Sequence, residues 1–135
     1  MNKSALREEL FKLLYSLEVQ KDDSTEEIET YIQNIQANEA DKKYIGTNAA
    51  KIREENESLK EEIAKNLKND WSIDRVSKIN LAILKLAIYE ILYTDTPYKV
   101  SINEAVEIAK KYGEDQSPSF VNGILASVVK NHNIT

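Results

Sequence analysis

Few residues in this 135-residue chain could do covalent chemistry, and their types exclude more than they suggest. There is no cysteine, so disulfides, thiolate nucleophiles, cysteine-ligated zinc and iron–sulfur clusters drop out. The one imidazole, His132, stands three residues from the end, too isolated for a Ser-His-Asp triad, an H-E-x-x-H zinc site or the paired Glu-x-x-His units of a di-iron bundle. Carboxylates are abundant, and Glu57, Glu61 and Lys65 follow at four-residue steps. That spacing makes one repulsive and one attractive pair along a solvated helix face. A general acid–base pair needs a pocket that drives two pKa values apart, and so polar a segment offers none. The expectation is a protein that is not an enzyme and needs neither metal nor cofactor. Binding chemistry remains, and Tyr15 is its first candidate. At 100° per residue it projects beside Ser4, Glu8 and Lys12 rather than with the leucines around it, where a ring can stack on an unpaired base. The alternative is a tyrosine covered by another helix with its hydroxyl in water.

The elements that must hold such residues read as helices. Only three glycines and two prolines occur, which leaves few turns. Between Ser4 and Val19, Leu6, Leu10, Leu13 and Leu17 recur at helical spacing, widened by Phe11 and Leu14. Ser24 and Glu27 form a capping box ahead of a second helix bearing Ile28, Tyr31, Ile32 and Ile35. After a turn over 37–41, a third run reaches about Lys68 and carries Tyr44, Ile45, Ile52, Leu59, Ile63 and Leu67. Past Trp71, Ser72 and Asp74 suit a helix start. From Val76 to Leu92 only Lys78, Lys85 and Glu90 are charged, so this helix must be enclosed by others.

Pro97 closes that helix, and Ser101 with Glu104 read as the capping box of the next, with Val100 and Ala105 as its staple. Gly113 suits a left-handed stop, and Ser117 and Pro118 suit an N-cap and first turn. The last helix turns Val121, Ile124, Leu125, Val128 and Val129 inward. Gly123, unfavourable inside a helix by roughly 1 kcal/mol, predicts a close approach of another helix or a ligand there. The predicted class is all-α, with six to seven helices in one domain. Two small bundles, 1–70 and 71–135, share an interface between the first helix and the apolar central one.

The net charge of −5 is unevenly placed. Residues 22–70 carry 13 acids against 7 bases, and the stretches on either side are close to neutral. Any nucleic-acid contact is therefore modest in charge. No signal peptide opens the chain and no apolar run approaches the ~20 residues that span a bilayer, so the expected setting is cytoplasmic, with no membrane partner.

Three blocks resemble one family. They are RVSKINLAILKLAIYE from Arg75 to Glu90, PYKVSINEAVEIAKKYG from Pro97 to Gly113, and FVNGIL from Phe120 to Leu125; Arg7 with Leu14 and Tyr15 resembles the opening helix. In order and spacing they are similar to the signature blocks of the NusB transcription antitermination family. The resemblance covers the first 15 residues or so and nearly all of the C-terminal half; the acidic middle matches only in length and helical character.

The resemblance implies an RNA-binding adaptor. It implies a heterodimer with NusE, a small-subunit ribosomal protein, on single-stranded boxA RNA, helping to load an antitermination complex on RNA polymerase during ribosomal RNA synthesis. It places Lys3, Arg7, Tyr15, Lys99 and Phe120 toward RNA, and Lys78 and Asn80 where the central helix meets NusE and RNA. Lysine and arginine would neutralise phosphates while Tyr15 and Phe120 stack bases. The chain departs from the family in its opening, where only Lys3 and Arg7 are basic, and at Ser119, a position that can be basic. The competing reading is a protein–protein scaffold or homodimer without RNA binding.

Overall fold

The structure is a computed structural model that describes residues 1–21, 25–68 and 70–135. Ser24, and with it the capping box read at 24–27, lies outside the described residues. Among the described residues there are seven α-helices and no strand: α1 (Lys3–Gln20), α2 (Thr25–Asn34), α3 (Glu39–Glu54), α4 (Asn56–Lys65), α5 (Lys78–Tyr93), α6 (Tyr98–Tyr112) and α7 (Ser117–Asn131). A single 3-10 turn, Ile73–Arg75, precedes α5. The all-α expectation holds.

Several boundaries differ from the sequence reading, each for a local reason. The run expected to reach Lys68 as one helix breaks at Glu55 (φ −93°, ψ 13°) into α3 and α4. The break gives Glu57 a favourable place in the first turn of α4, and Lys51 and Arg53 lie in the last turn of α3. The helix start assigned to Ser72 and Asp74 is only the 3-10 turn; Ser77 caps α5, its hydroxyl accepting the Asn80 amide at 3.1 Å. Asn2 and Asn38 cap α1 and α3 in the same way, each at 2.8 Å.

The capping box at Ser101 and Glu104 is not formed. α6 begins a turn earlier, directly after Pro97, and both side chains lie inside the helix with partners elsewhere. Ser117 is the first residue of α7 rather than its cap, and its hydroxyl accepts the Glu114 amide at 3.0 Å. Gly113 is extended (φ −89°, ψ −171°), not left-handed. What requires glycine there is space, because a Cβ would lie 2.6 Å from the Ser117 side chain and 2.8 Å from the Ala109 carbonyl. Gly123 has the opposite surroundings: a Cβ there would meet nothing within 4 Å, so no helix approaches it.

α5 is the centre. Every residue from Ala82 to Ile91 is buried, with α1, α4, α6 and α7 packed around the helix. The inward set read for α7, Val121, Ile124, Leu125, Val128 and Val129, is buried throughout. α1 crosses α5 in the opposite chain sense and lies alongside α6 in the same sense, as the pairs Arg7–Glu90, Ser4–Glu104, Glu8–Lys111 and Phe11–Tyr112 show. α4 is tied to the end of α7 by Glu62, which meets His132 Nε2 at 2.8 Å, and by Asn66, which accepts from Ser127 and Asn131.

The apolar centre holds two charge pairs. Lys85 reaches Glu18 on α1. Arg7, 6% exposed, donates Nε to both oxygens of Glu90 at 3.1 and 2.9 Å and Nη1 to Glu104 at 3.3 Å, while the Ser101 hydroxyl donates to Glu90 at 2.8 Å. Three helices thus converge on one carboxylate.

Removing one member of a buried pair strands the other charge. Glu90→Ala should lower unfolding free energy by about 3–5 kcal/mol in denaturant titration, whereas Arg7→Met with Glu90→Leu should regain most of it. The glycines should respond in opposite directions. Gly113→Ala destabilises by about 1–3 kcal/mol through the clash with Ser117 and the Ala109 carbonyl. Gly123→Ala, on an open helical face, stabilises by up to roughly 1 kcal/mol, and the shifts in melting temperature should show both signs.

Candidate nucleic-acid interface

The residues expected to face RNA are sorted by the fold into two groups. Lys3 opens α1 and Lys99 lies in the first turn of α6; both are exposed. Because α1 and α6 run side by side in one sense, the two ammonium groups share an end of the molecule. Arg7, 6% exposed, does not stand open beside them. Its guanidinium turns inward to Glu90 and Glu104, so a phosphate reaching it would have to displace two carboxylates. The signal was available, since Arg7 precedes Leu10, Phe11 and Leu14 by three, four and seven residues, the spacing of one buried face.

The rings collect at the other end of α6. That helix has 15 residues, about 22 Å at 1.5 Å per residue, so its two ends are separate surfaces. Tyr15 is half-buried and does not stand free on a polar face. Its ring stacks on Phe11 at 6.3 Å and 21°, and Phe11 in turn meets Tyr112 at 5.1 Å. The charges beside this band are already matched. Lys111 binds both oxygens of Glu8 at 2.9 and 3.1 Å, and that hydrogen bond holds the Glu8 carboxyl below its ordinary pKa. Tyr31 donates to Glu9 at 2.9 Å, and burial followed by that bond pushes its phenol well up, so it stays a donor.

Phe120, in the first turn of α7, is half-buried against Trp71, with centroids 6.1 Å apart and planes at 33°. The two rings border a groove of about 580 Å³ whose other walls include Leu67, Lys68, Gln116 and Gly123. The bare backbone at Gly123 keeps one wall low. The sequence reading gave Trp71 no role; at 46% exposure it is among the most accessible large apolar side chains. Its lone occurrence just ahead of a helix, outside any periodic stripe, is the signal that could have singled it out.

Lys78 and Asn80 both occupy the first turn of α5, on different sides of it. Lys78 is exposed on the rim of a second cleft. Asn80 is half-buried and gives its backbone amide to Ser77, but its Oδ1 is shut from solvent and finds no donor among the described residues. A buried acceptor left in that state costs about 1–3 kcal/mol. Among the described residues no group of three histidine or acidic side chains could hold a metal ion. No helix of the described residues is long and apolar enough to cross a membrane.

Comparison with known proteins now adds to the geometry. A transcription antitermination protein NusB of Acetivibrio thermocellus is 44% identical over 131 residues, covering 96% of this chain and 90% of that protein. The NusB of Clostridium botulinum is 40% identical over 133 residues, covering 96% and 99%. Among solved structures, T. maritima NusB superposes with a TM-score of 0.87 at 31% identity, covering 96% of this chain and 92% of the other. An assembly of the antitermination factors NusB and NusE with double-stranded RNA shares the fold, with a TM-score of 0.82 at 23% identity, covering 97% of this chain and 99% of the other. The seven-helix architecture and these full-length likenesses agree with a match of residues 4–130 to the NusB family, and this chain belongs to it.

Proposed function

We propose that this protein is an RNA-binding antitermination adaptor that joins a NusE-type ribosomal protein on single-stranded boxA RNA and supports ribosomal RNA transcription by RNA polymerase in the cytoplasm. The family supplies the class of activity. The observation that carries the RNA reading is the groove between Trp71 and Phe120, where two accessible rings stand beside Lys68 and a helix wall left bare at Gly123. Base–aromatic stacking contributes about 1–3 kcal/mol per base and tolerates any sequence, so this groove binds unpaired RNA while other contacts choose it. The solved relative of the same fold that holds NusE and duplex RNA is consistent with a partner-assisted site.

Burial of Arg7 narrows the cationic contribution to Lys3, Lys99 and Lys68, which no acid of the described residues neutralises. Lys78 and Asn80 are the proposed contacts to the protein partner. A donor from that partner would satisfy the Asn80 Oδ1 that the chain leaves unanswered. With so few phosphate contacts, the protein alone binds weakly and NusE supplies the remainder. The competing scaffold or homodimer reading needs only the protein surface.

Trp71 is the sole tryptophan, so its emission reports on the groove directly. Titration with boxA RNA should quench it, more tightly when NusE is present, and Phe120→Ala should weaken binding by about 1–3 kcal/mol, roughly five- to 150-fold. With about three phosphates neutralised, a fourfold rise in salt should cost the protein alone roughly tenfold to twentyfold in affinity. RNA that leaves the emission unchanged with and without NusE, together with Phe120→Ala binding like the parent, would place the chain with the scaffold reading.

A further inference from the structure

The second cleft, about 530 Å³, lies between the last turns of α1, the α3–α4 break, the 3-10 turn and the first turns of α5. It shares no lining residue with the Trp71–Phe120 groove. Its floor is aliphatic: Leu14, Leu17, Ile52, Val76 and Leu81 contribute, and no aromatic ring lines it. Its rim is cationic. Lys21, Lys60 and Lys78 stand around Asp74, because the other rim acid, Glu18, is held by Lys85 and Arg53 is engaged by Thr25. Lys60 of this rim comes from the stretch of chain, 22–70, that carries the whole acidic surplus. The side chains of Lys21, Lys60 and Lys78 have no ion-pair or hydrogen-bond partner among the described residues, so three open ammonium groups meet on one rim.

We propose that this cleft is a docking site for an acidic, leucine-type peptide segment of a protein partner, with aliphatic side chains on the floor and carboxylates on the lysine rim. Charge complementarity selects an anionic occupant, and the floor decides which kind. An RNA strand would find phosphate contacts but no ring to stack on, and in this molecule the accessible rings are gathered elsewhere. A peptide matches both surfaces at once, and a volume of this size accommodates a few of its side chains. The site goes beyond the RNA groove and shares only Lys78 with the proposed NusE contact, which is why the variant below leaves Lys78 in place.

The test is a fluorescence-anisotropy titration of the full chain with a short labelled amphipathic peptide, leucine along one face and glutamate along the other. Saturable binding is expected, weakened about tenfold by Lys21→Glu with Lys60→Glu. A matching peptide with lysine in place of glutamate should reverse the order, binding the variant better than the parent, which also shows that the variant is folded. Methyl resonances of Leu17 and Leu81 should shift with the acidic peptide, and Trp71 quenching by boxA RNA should be the same in variant and parent. Equal affinity of parent and variant for the acidic peptide would overturn the proposal. So would loss of RNA affinity in the variant, which would give the cleft to the nucleic acid and leave the Trp71 titration itself intact.

Discussion

A guanidinium taken out of water has to be answered, and in this chain the answer comes from two other helices. Glu90 in the middle of α5 receives Arg7 of α1 and the hydroxyl of Ser101 from α6, and Glu104 of α6 takes the remaining nitrogen. Hydrophobic burial supplies most of the free energy of assembly and does not prefer one register over the next. The directional contacts at Glu90 do, since a sliding movement of α1 along α5 or α6 would leave an ionised group unpaired in a dry place. The side-by-side placement of α1 and α6 follows, and with it the presence of Lys3 and Lys99 at one end and the ring cluster at the other.

That separation gives the molecule two kinds of surface with little overlap. Beside the Phe11–Tyr112 band, Lys111 is consumed by Glu8, whereas Lys68 stays open at the Trp71–Phe120 groove. Other unanswered lysines include Lys3 and Lys99 at the far end of α6 and Lys21, Lys60 and Lys78 on the rim of the aliphatic cleft. A protein with a net charge of −5 can therefore meet anions at a few places without attracting them everywhere.

Periodicity was a reliable guide to what lies inside. The enclosure of α5 and the inward face of α7 follow from the spacing of their aliphatic residues, because burial is a property of whole faces. Punctuation was less reliable. Ser101 and Glu104 have the residue types of a capping box, yet those same types serve as ligands for a buried charge, and only the position of Arg7 decides between the two. Gly113 shows the same ambiguity between a backbone conformation and a crowded contact. Of the site, Phe120 was legible through its family block, but Trp71 was not, since its role in the groove depends on α7 folding back beside the segment after α4. Arg7 was placed toward RNA by the family resemblance alone, and its burial was legible only in its spacing from Leu10 and Leu14.

The distance along the chain between Arg7 and Glu90, 83 residues, has a consequence for the order of events on the ribosome. α1 is translated first, and in the finished fold the partner of its Arg7 belongs to α5 and not to α2, α3 or α4. The native contacts of Arg7 therefore form only after α5 has emerged, and Glu104 arrives later still. Pairing over so long a stretch couples the two halves, because the register of α1 is fixed only once the central helix is present.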